Sequence, residues 1–177
     1  MCQQELRIHT DRLIMRPVQE GDWPDVQRIW EGVNTSPYAR FDRPHNTDST
    51  DVQGRIARWA AAGQGPDHFF FAVCLCKTVI GYIAFNRRAI GYEAGYCFDP
   101  AYHGKGYASE SLSALMRLMQ NRGVRKLTAG TAVENMPSVR LLTSLGFVLT
   151  GTEPVSFYAD EAGRPVFFEG GVFEAVL

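Results

Sequence analysis

Residues Tyr102-His103-Gly104-Lys105-Gly106-Tyr107-Ala108-Ser109 place two glycines, a lysine and small side chains directly before a stretch of helical periodicity. The first turn of a helix carries four backbone N–H groups without intrahelical partners, and the helix dipole makes that end positive. Glycine keeps the approach to such donors open. The pattern therefore suits the binding of a phosphate or diphosphate. Its spacing is neither GxxxxGK[ST] nor GxGxxG, because position 109 is serine. A lone Gly-x-Gly also marks ordinary turns, so its flanks decide its meaning. The other reactive side chains are scattered. Cys2, Cys74, Cys76 and Cys97 have no CxxC or other metal-ligand spacing, and no metal is expected. Cys97 has no basic partner nearby in sequence and reads as a buried structural thiol rather than a nucleophile. His68 and His103 can titrate near neutrality, although an isolated histidine is more often structural or exposed.

The elements that must position the loop follow from the patterning. Alternation over 6–16, around a Thr10-Asp11 turn signal, reads as a first strand. Asp22-Trp23-Pro24-Asp25 opens a helix, with Asp22 as N-cap, Pro24 in the first turn and Val26, Ile29 and Trp30 as the apolar stripe. Segment 34–46 is irregular, and 48–62 reads as a second helix ended by Gly63. Strands over 68–74 and 78–85 pair around a turn at Lys77, and a third over 91–98 runs into the glycine loop. Ala108, Leu112, Leu115, Met116 and Met119 repeat with helical period up to Gly123. A strand over 127–133, a short helix over 137–145 and strands from 147 and from 166 complete the order. The result is one domain over residues 1–177, with antiparallel neighbours and one central strand–helix–strand crossover.

The 177 residues are enough for a sizeable core, and 45% hydrophobic with 21% charged content is that of a soluble globular protein. A net charge of −1 gives no global attraction to nucleic acid or to an anionic membrane. There is no signal-peptide pattern and no apolar run of membrane-spanning length. Reduced thiols and a cytoplasmic location are expected.

Two longer runs carry a resemblance. Tyr92-Glu93-Ala94-Gly95-Tyr96-Cys97-Phe98-Asp99-Pro100 with His103 to Glu110 resembles the acyl-CoA-binding core of the GNAT superfamily of N-acetyltransferases. Glu134-Asn135-Met136-Pro137-Ser138, followed by Leu141 to Val148, is similar to the later GNAT segment beside the pantetheine arm. Thr10-Asp11-Arg12-Leu13-Ile14-Met15-Arg16-Pro17 resembles the branch containing ribosomal-protein N-terminal acetyltransferases. The resemblance implies an α+β fold in three α/β/α layers, with a mixed, largely antiparallel sheet of about seven strands, a splayed central parallel pair and about four helices. It implies acetyl-CoA as cosubstrate. Its pantetheine would complete the broken ladder along Tyr96, Cys97 and Phe98, and its diphosphate would rest on His103, Gly104, Lys105, Gly106, Tyr107 and Ala108. A side chain at Gly104 or Gly106 would block that approach. The family often has Gln or Arg where His103 stands.

The same resemblance implies direct attack by an amine in a ternary complex. Glu93 is the candidate general base, its pKa raised by partial burial; the position also reads as a solvated strand end. Glu134 reads as ordering a turn. Asn135 resembles the asparagine that bonds pantetheine and equally suits a helix N-cap. Many members place an acidic tyrosine where this chain has Leu142, which leaves Ser138, a water or Tyr107 to serve the departing thiolate. A backbone N–H near Tyr96 or Cys97 is expected to polarise the thioester carbonyl. Trp30, Tyr38, Phe41, Phe157 and Tyr158 are candidate walls of the acceptor side, and Asp42, Asp67 and Glu161 can attract a cation. The acceptor is expected to be a protein N-terminus. The alternatives are a small amine (polyamine, amino acid or antibiotic) or an acyl-CoA sensor without turnover. A monomer or homodimer is expected.

Overall fold

The computed structural model describes residues 6–63 and 65–177, so Cys2 lies outside the described residues. The Thr10-Asp11 signal is a true turn. Thr10 N–H donates to Leu13 O at 3.0 Å, and strands β1 (Ile8–His9) and β2 (Ile14–Pro17) pair antiparallel across it. The single strand expected over 6–16 is thus a hairpin, and the described residues form an eight-stranded sheet rather than one of about seven. The others are β3 (His68–Leu75), β4 (Thr78–Arg87), β5 (Tyr92–Phe98), β6 (Lys126–Ala132), β7 (Val148–Ala159) and β8 (Pro165–Val176), in the order β1-β2-β3-β4-β5-β6-β8-β7.

Strand β4 shows why the architecture has three layers. Side chains alternate across a strand, yet residues 79–85 are all buried, so both faces must be covered. Val79 and Tyr82 pack with Val26, Ile29 and Trp30 of α1 (Trp23–Asn34) and with Val52 and Ile56 of α2 (Ser49–Ala62). Ile80, Ile83 and Phe85 pack with Leu112, Leu115 and Met119 of α3 (Tyr107–Asn121) and Leu142 of α4 (Met136–Ser144).

The second helix begins at Ser49, and Asp48 caps it by accepting Thr50 N–H and Asp51 N–H. Asp22 makes no such cap. A short 3-10 turn (Glu20–Asp22) precedes α1, and the buried Asp22 carboxylate instead takes both terminal nitrogens of Arg16, at 2.8 and 2.7 Å. The same carboxylate also accepts the backbone N–H of Gln19 at 2.8 Å, so its oxygens face back towards β2 and the 3-10 turn rather than forward onto α1.

The central parallel pair is where the ladder fails. Strands β5 and β6 pair only at Tyr92↔Leu127 and Glu93↔Thr128. Beyond that, β5 stays on β4 through Gly81↔Phe98, and β6 stays on β8 through Ala132↔Gly170. Gly81 permits the first course, because a Cβ there would lie 2.4 Å from the Phe98 ring. The two strands diverge and leave a notch between 94–98 and 129–132, where the facing backbone edges have no strand partner.

Candidate active site

At the open end of the notch, β5 runs into the glycine loop. Asp99 caps a 3-10 turn (Pro100–Tyr102) through Ala101 N at 2.9 Å and is ion-paired with Arg28 of α1. His103 Nε2–H donates to Phe98 O at 3.0 Å and closes the loop on itself. Lys105 turns back, with Nζ 3.2 Å from Ala101 O. Gly104 and Gly106 have φ of +73° and +80°, which L side chains rarely adopt. Within the protein, a Cβ at Gly104 meets nothing within 4 Å, and one at Gly106 meets only the Arg12 guanidinium at 3.3 Å. The backbone conformation is what demands glycine. Gly106 is the N-cap of α3 and supplies no side-chain acceptor, so the first-turn N–H groups, including those of Tyr107 and Ala108, carry no cap. Those donors are open to an anion.

Side-chain alternation divides β5 into two half-sites. Tyr92, Ala94, Tyr96 and Phe98 belong to the α3–α4 side, and Cys97 to the α1–α2 side. On the first side the Tyr96 hydroxyl lies 2.7 Å from Ser138 Oγ of α4. Burial pushes Tyr96 up to about 12, against the easing effect of the Ser138 hydrogen bond. Asn135 precedes α4 without a side-chain capping bond, so the N-cap role is not realised. Leu142 is fully buried in the core.

On the other side lie Glu93, Gly95 and Cys97. Glu93 is at the paired base of the notch, 38% exposed and ion-paired with Arg88. The structure does not bring it to Ser138: three strand residues, about 10 Å, and the sheet plane separate Glu93 from Tyr96. Burial also pushes the Cys97 thiol up to about 12, eased by a hydrogen bond with Tyr82, whose hydroxyl receives Trp30 Nε1–H at 2.9 Å. Such a thiol is inert at neutral pH.

Beyond Cys97, the 35–46 segment is pinned at both ends of its span. The Asn34 side chain brackets His45 (Nδ2 to His45 O 2.8 Å, His45 N to Oδ1 3.0 Å), and His45 stacks on Trp30. Tyr158 OH donates to Ala39 O at 2.8 Å, and Phe41 and Phe157 both pack on Phe168. Trp30 is a core residue, 1% exposed. Glu134 is exposed, 3.8 Å from Arg40. Asp67 pairs with Arg87, and Glu161 is exposed in the β7–β8 turn. His68 is exposed and bonds Asn86. Two features escaped the sequence reading, the Tyr96 hydroxyl and a network joining Thr10 and Arg12 to Glu110. The Tyr96 signal was its even position on β5, which aims it at the short helix. No group of three or more His, Cys, Asp or Glu among the described residues is placed to hold a metal ion, and no described helix is long and apolar enough to cross a membrane.

A mixed sheet whose central parallel pair opens beside a glycine-lined helix start is the architecture of a CoA-dependent acyltransferase. The family profile of the acetyltransferase (GNAT) domain matches residues 12–148, and the chain belongs to that family. It is an acetyl-CoA-dependent N-acetyltransferase. An uncharacterized N-acetyltransferase, YnaD of Bacillus subtilis, is 25% identical over 146 residues, covering 80% of this chain and 82% of the relative. The RimL ribosomal L7/L12 alpha-N-protein acetyltransferase, solved in complex with coenzyme A, superposes with a TM-score of 0.81 at 19% identity, over 97% of this chain and 98% of the other. The microcin C7 self-immunity acetyltransferase MccE, solved with acetyl-CoA and AMP, gives 0.79 at 16% identity, over 95% and 94%. These two structural likenesses establish the fold.

Proposed function

We propose that the β5–β6 notch receives the pantetheine arm of acetyl-CoA and that a primary amine, the N-terminus of a protein, attacks from the Glu93–Cys97 side. The observation that carries this is the pairing of β5 and β6 at two residue pairs only, which leaves two backbone edges for an amide-bearing chain to complete as an added strand. Acetyl-CoA supplies an activated acetyl thioester. Gly104 to Ala108 hold the diphosphate, and Asn135 and the β5 edge from Tyr96 to Phe98 orient the arm. Glu93, directly or through a water in the space beside Gly95, removes the ammonium proton, and an N–H near Tyr96 or Cys97 polarises the carbonyl. The C–N bond forms, the C–S bond breaks, and the departing thiolate takes up one proton.

Tyr96 and Ser138 serve that thiolate. A phenol held up to about 12 is a weaker acid than an ordinary thiol, whose pKa is about 8.5. Full proton transfer to sulfur is therefore uphill, and the hydroxyl pair acts by donating hydrogen bonds to the developing charge. The proton itself is the one the amine gives up.

A small amine is the second reading. The bond from Tyr158 to Ala39 and the packing of Phe41 on Phe168 narrow the side by which an extended peptide would enter, which favours a compact acceptor. The test is a panel of N-terminal peptides, polyamines, amino acids and aminoglycosides incubated with acetyl-CoA, with free thiol release as readout. Turnover of peptides supports the first reading, and turnover confined to small amines supports the second. Tight CoA binding with background turnover throughout overturns both in favour of a sensor.

A further inference from the structure

We infer that Arg12, held by Glu110 and Thr10, is a positioning residue that fixes the glycine loop for the diphosphate of the acyl donor. Arg12 leaves the β1–β2 turn and reaches the start of α3. Its Nε lies 2.7 Å and its Nη2 2.6 Å from Glu110 Oε2, and its backbone N–H donates to Oε1 at 3.1 Å. The Thr10 hydroxyl donates its single proton to the same Oε1 at 2.5 Å while accepting Leu13 N–H at 3.1 Å. Arg12 Cζ also lies 4.6 Å from the Tyr107 ring centroid. The guanidinium is thus held by one carboxylate oxygen and one ring face, and its remaining arm, Nη1, donates to Lys105 O at 2.9 Å.

That last bond sets the loop's chemistry. In a trans peptide the C=O and the next N–H point in opposite directions. Holding Lys105 O against Arg12 therefore turns the Gly106 N–H to the opposite side, away from the guanidinium. Glycine at 106, at positive φ, gives this peptide plane little resistance to turning over, and the turned-over plane would present a carbonyl to an anion. Arg12 works through that plane. Its charge is already met by Glu110, so geometry rather than attraction is its contribution.

The inference rests on the acyl-CoA reading, and two donors separate them. Acetyl-pantetheine carries the reacting thioester without the nucleotide diphosphate. In Arg12→Gln, KM for acetyl-CoA is expected to rise about 10–100-fold, the loss of one charge-assisted hydrogen bond, while kcat and the kinetics with acetyl-pantetheine stay unchanged. Arg12→Lys keeps the charge but not the fork, and is expected to lose most of the same affinity. Thr10→Val gives a milder rise of the same kind and serves if Arg12 variants fail to fold. Equal losses with both donors, or a wild-type KM in Arg12→Lys, overturn the inference. If the wild type turns over neither donor, the transferase reading fails, and calorimetry of CoA with the same variants tests the brace alone: unchanged affinity in Arg12→Gln overturns it.

Discussion

Replacing Tyr96 by phenylalanine removes one hydroxyl and leaves the ring in the core against α3 and α4. The lost contact is the 2.7 Å bond to Ser138 Oγ, between neutral groups. Such a bond contributes about 0.5–1.5 kcal/mol net. Ser138 is only half-buried, so water can replace the lost partner and the lower half of that range applies. A loss of about 1 kcal/mol lowers Tm by about 2–4 °C for a chain of this size. Under the proposed mechanism the effect on turnover is larger, because the pair would face charge that develops only as the C–S bond breaks. Single oxyanion-hole donors are worth roughly 10²–10³ in kcat. Sulfur spreads its charge more diffusely and Ser138 remains, so a fall of roughly 10–100-fold in kcat is expected, about 1.4–2.7 kcal/mol, with KM for acetyl-CoA within threefold. Continuous detection of released thiol measures it. The decisive control is a donor whose thiol is more acidic. A better leaving group needs less help, so the Tyr96→Phe defect must shrink with it. A defect independent of leaving-group acidity, or wild-type kcat in both Tyr96→Phe and Ser138→Ala, refutes the reasoning.

Other consequences are open to measurement. Gly106→Glu imposes a side chain at φ +80° beside Arg12 and puts a carboxylate at the anion site, so CoA binding by calorimetry is expected to be lost while circular dichroism stays native. Burial raises the Cys97 thiol from 9.0 and the Tyr96 hydroxyl from 10.0, each to about 12. The folded protein therefore binds these protons more tightly than the unfolded chain. Stability from this source is complete below about pH 9 and is lost as pH rises towards 12, on the order of a few kcal/mol in a chemical-denaturation series. For the same reason iodoacetamide at pH 7.5, followed by mass mapping, should modify exposed Cys76 well before Cys97 or buried Cys74. Burial tends to raise Glu110, but the hydrogen bonds from Thr10 and Arg12 outweigh it and hold the carboxyl below its ordinary 4.5. The Arg12 brace should thus persist above pH 4.5 and loosen as pH falls below it, read as weaker CoA binding.

The loop and helix start proposed for the donor were largely legible as structure because their signals are local. The glycine loop and the helix period from Ala108 each lie within a few residues of what they control. The partners that tune the site are not local. Thr10 and Glu110 are 100 residues apart and Tyr96 and Ser138 are 42 apart, so only the fold brings them together. Asp22 has the right residue type for an N-cap, but its carboxylate is turned back to Arg16 on the neighbouring strand and to Gln19 N–H, an arrangement no propensity records. The 6–16 hairpin was missed as two strands because each is shorter than the alternation needed to see it.

The parity of β5 also determines how this protein can and cannot change. Odd positions face the α1–α2 layer and even positions the α3–α4 layer, so the boundary between the two proposed half-sites is a matter of counting. Deleting one residue between 94 and 96 would invert every later side chain, carrying the tyrosine hydroxyl into the layer of α1 and α2 and a thiol towards Ser138. Substitutions can retune either half independently. A length change in this strand cannot be absorbed by either half, and the glycine loop that follows it is held too closely to take up the slack.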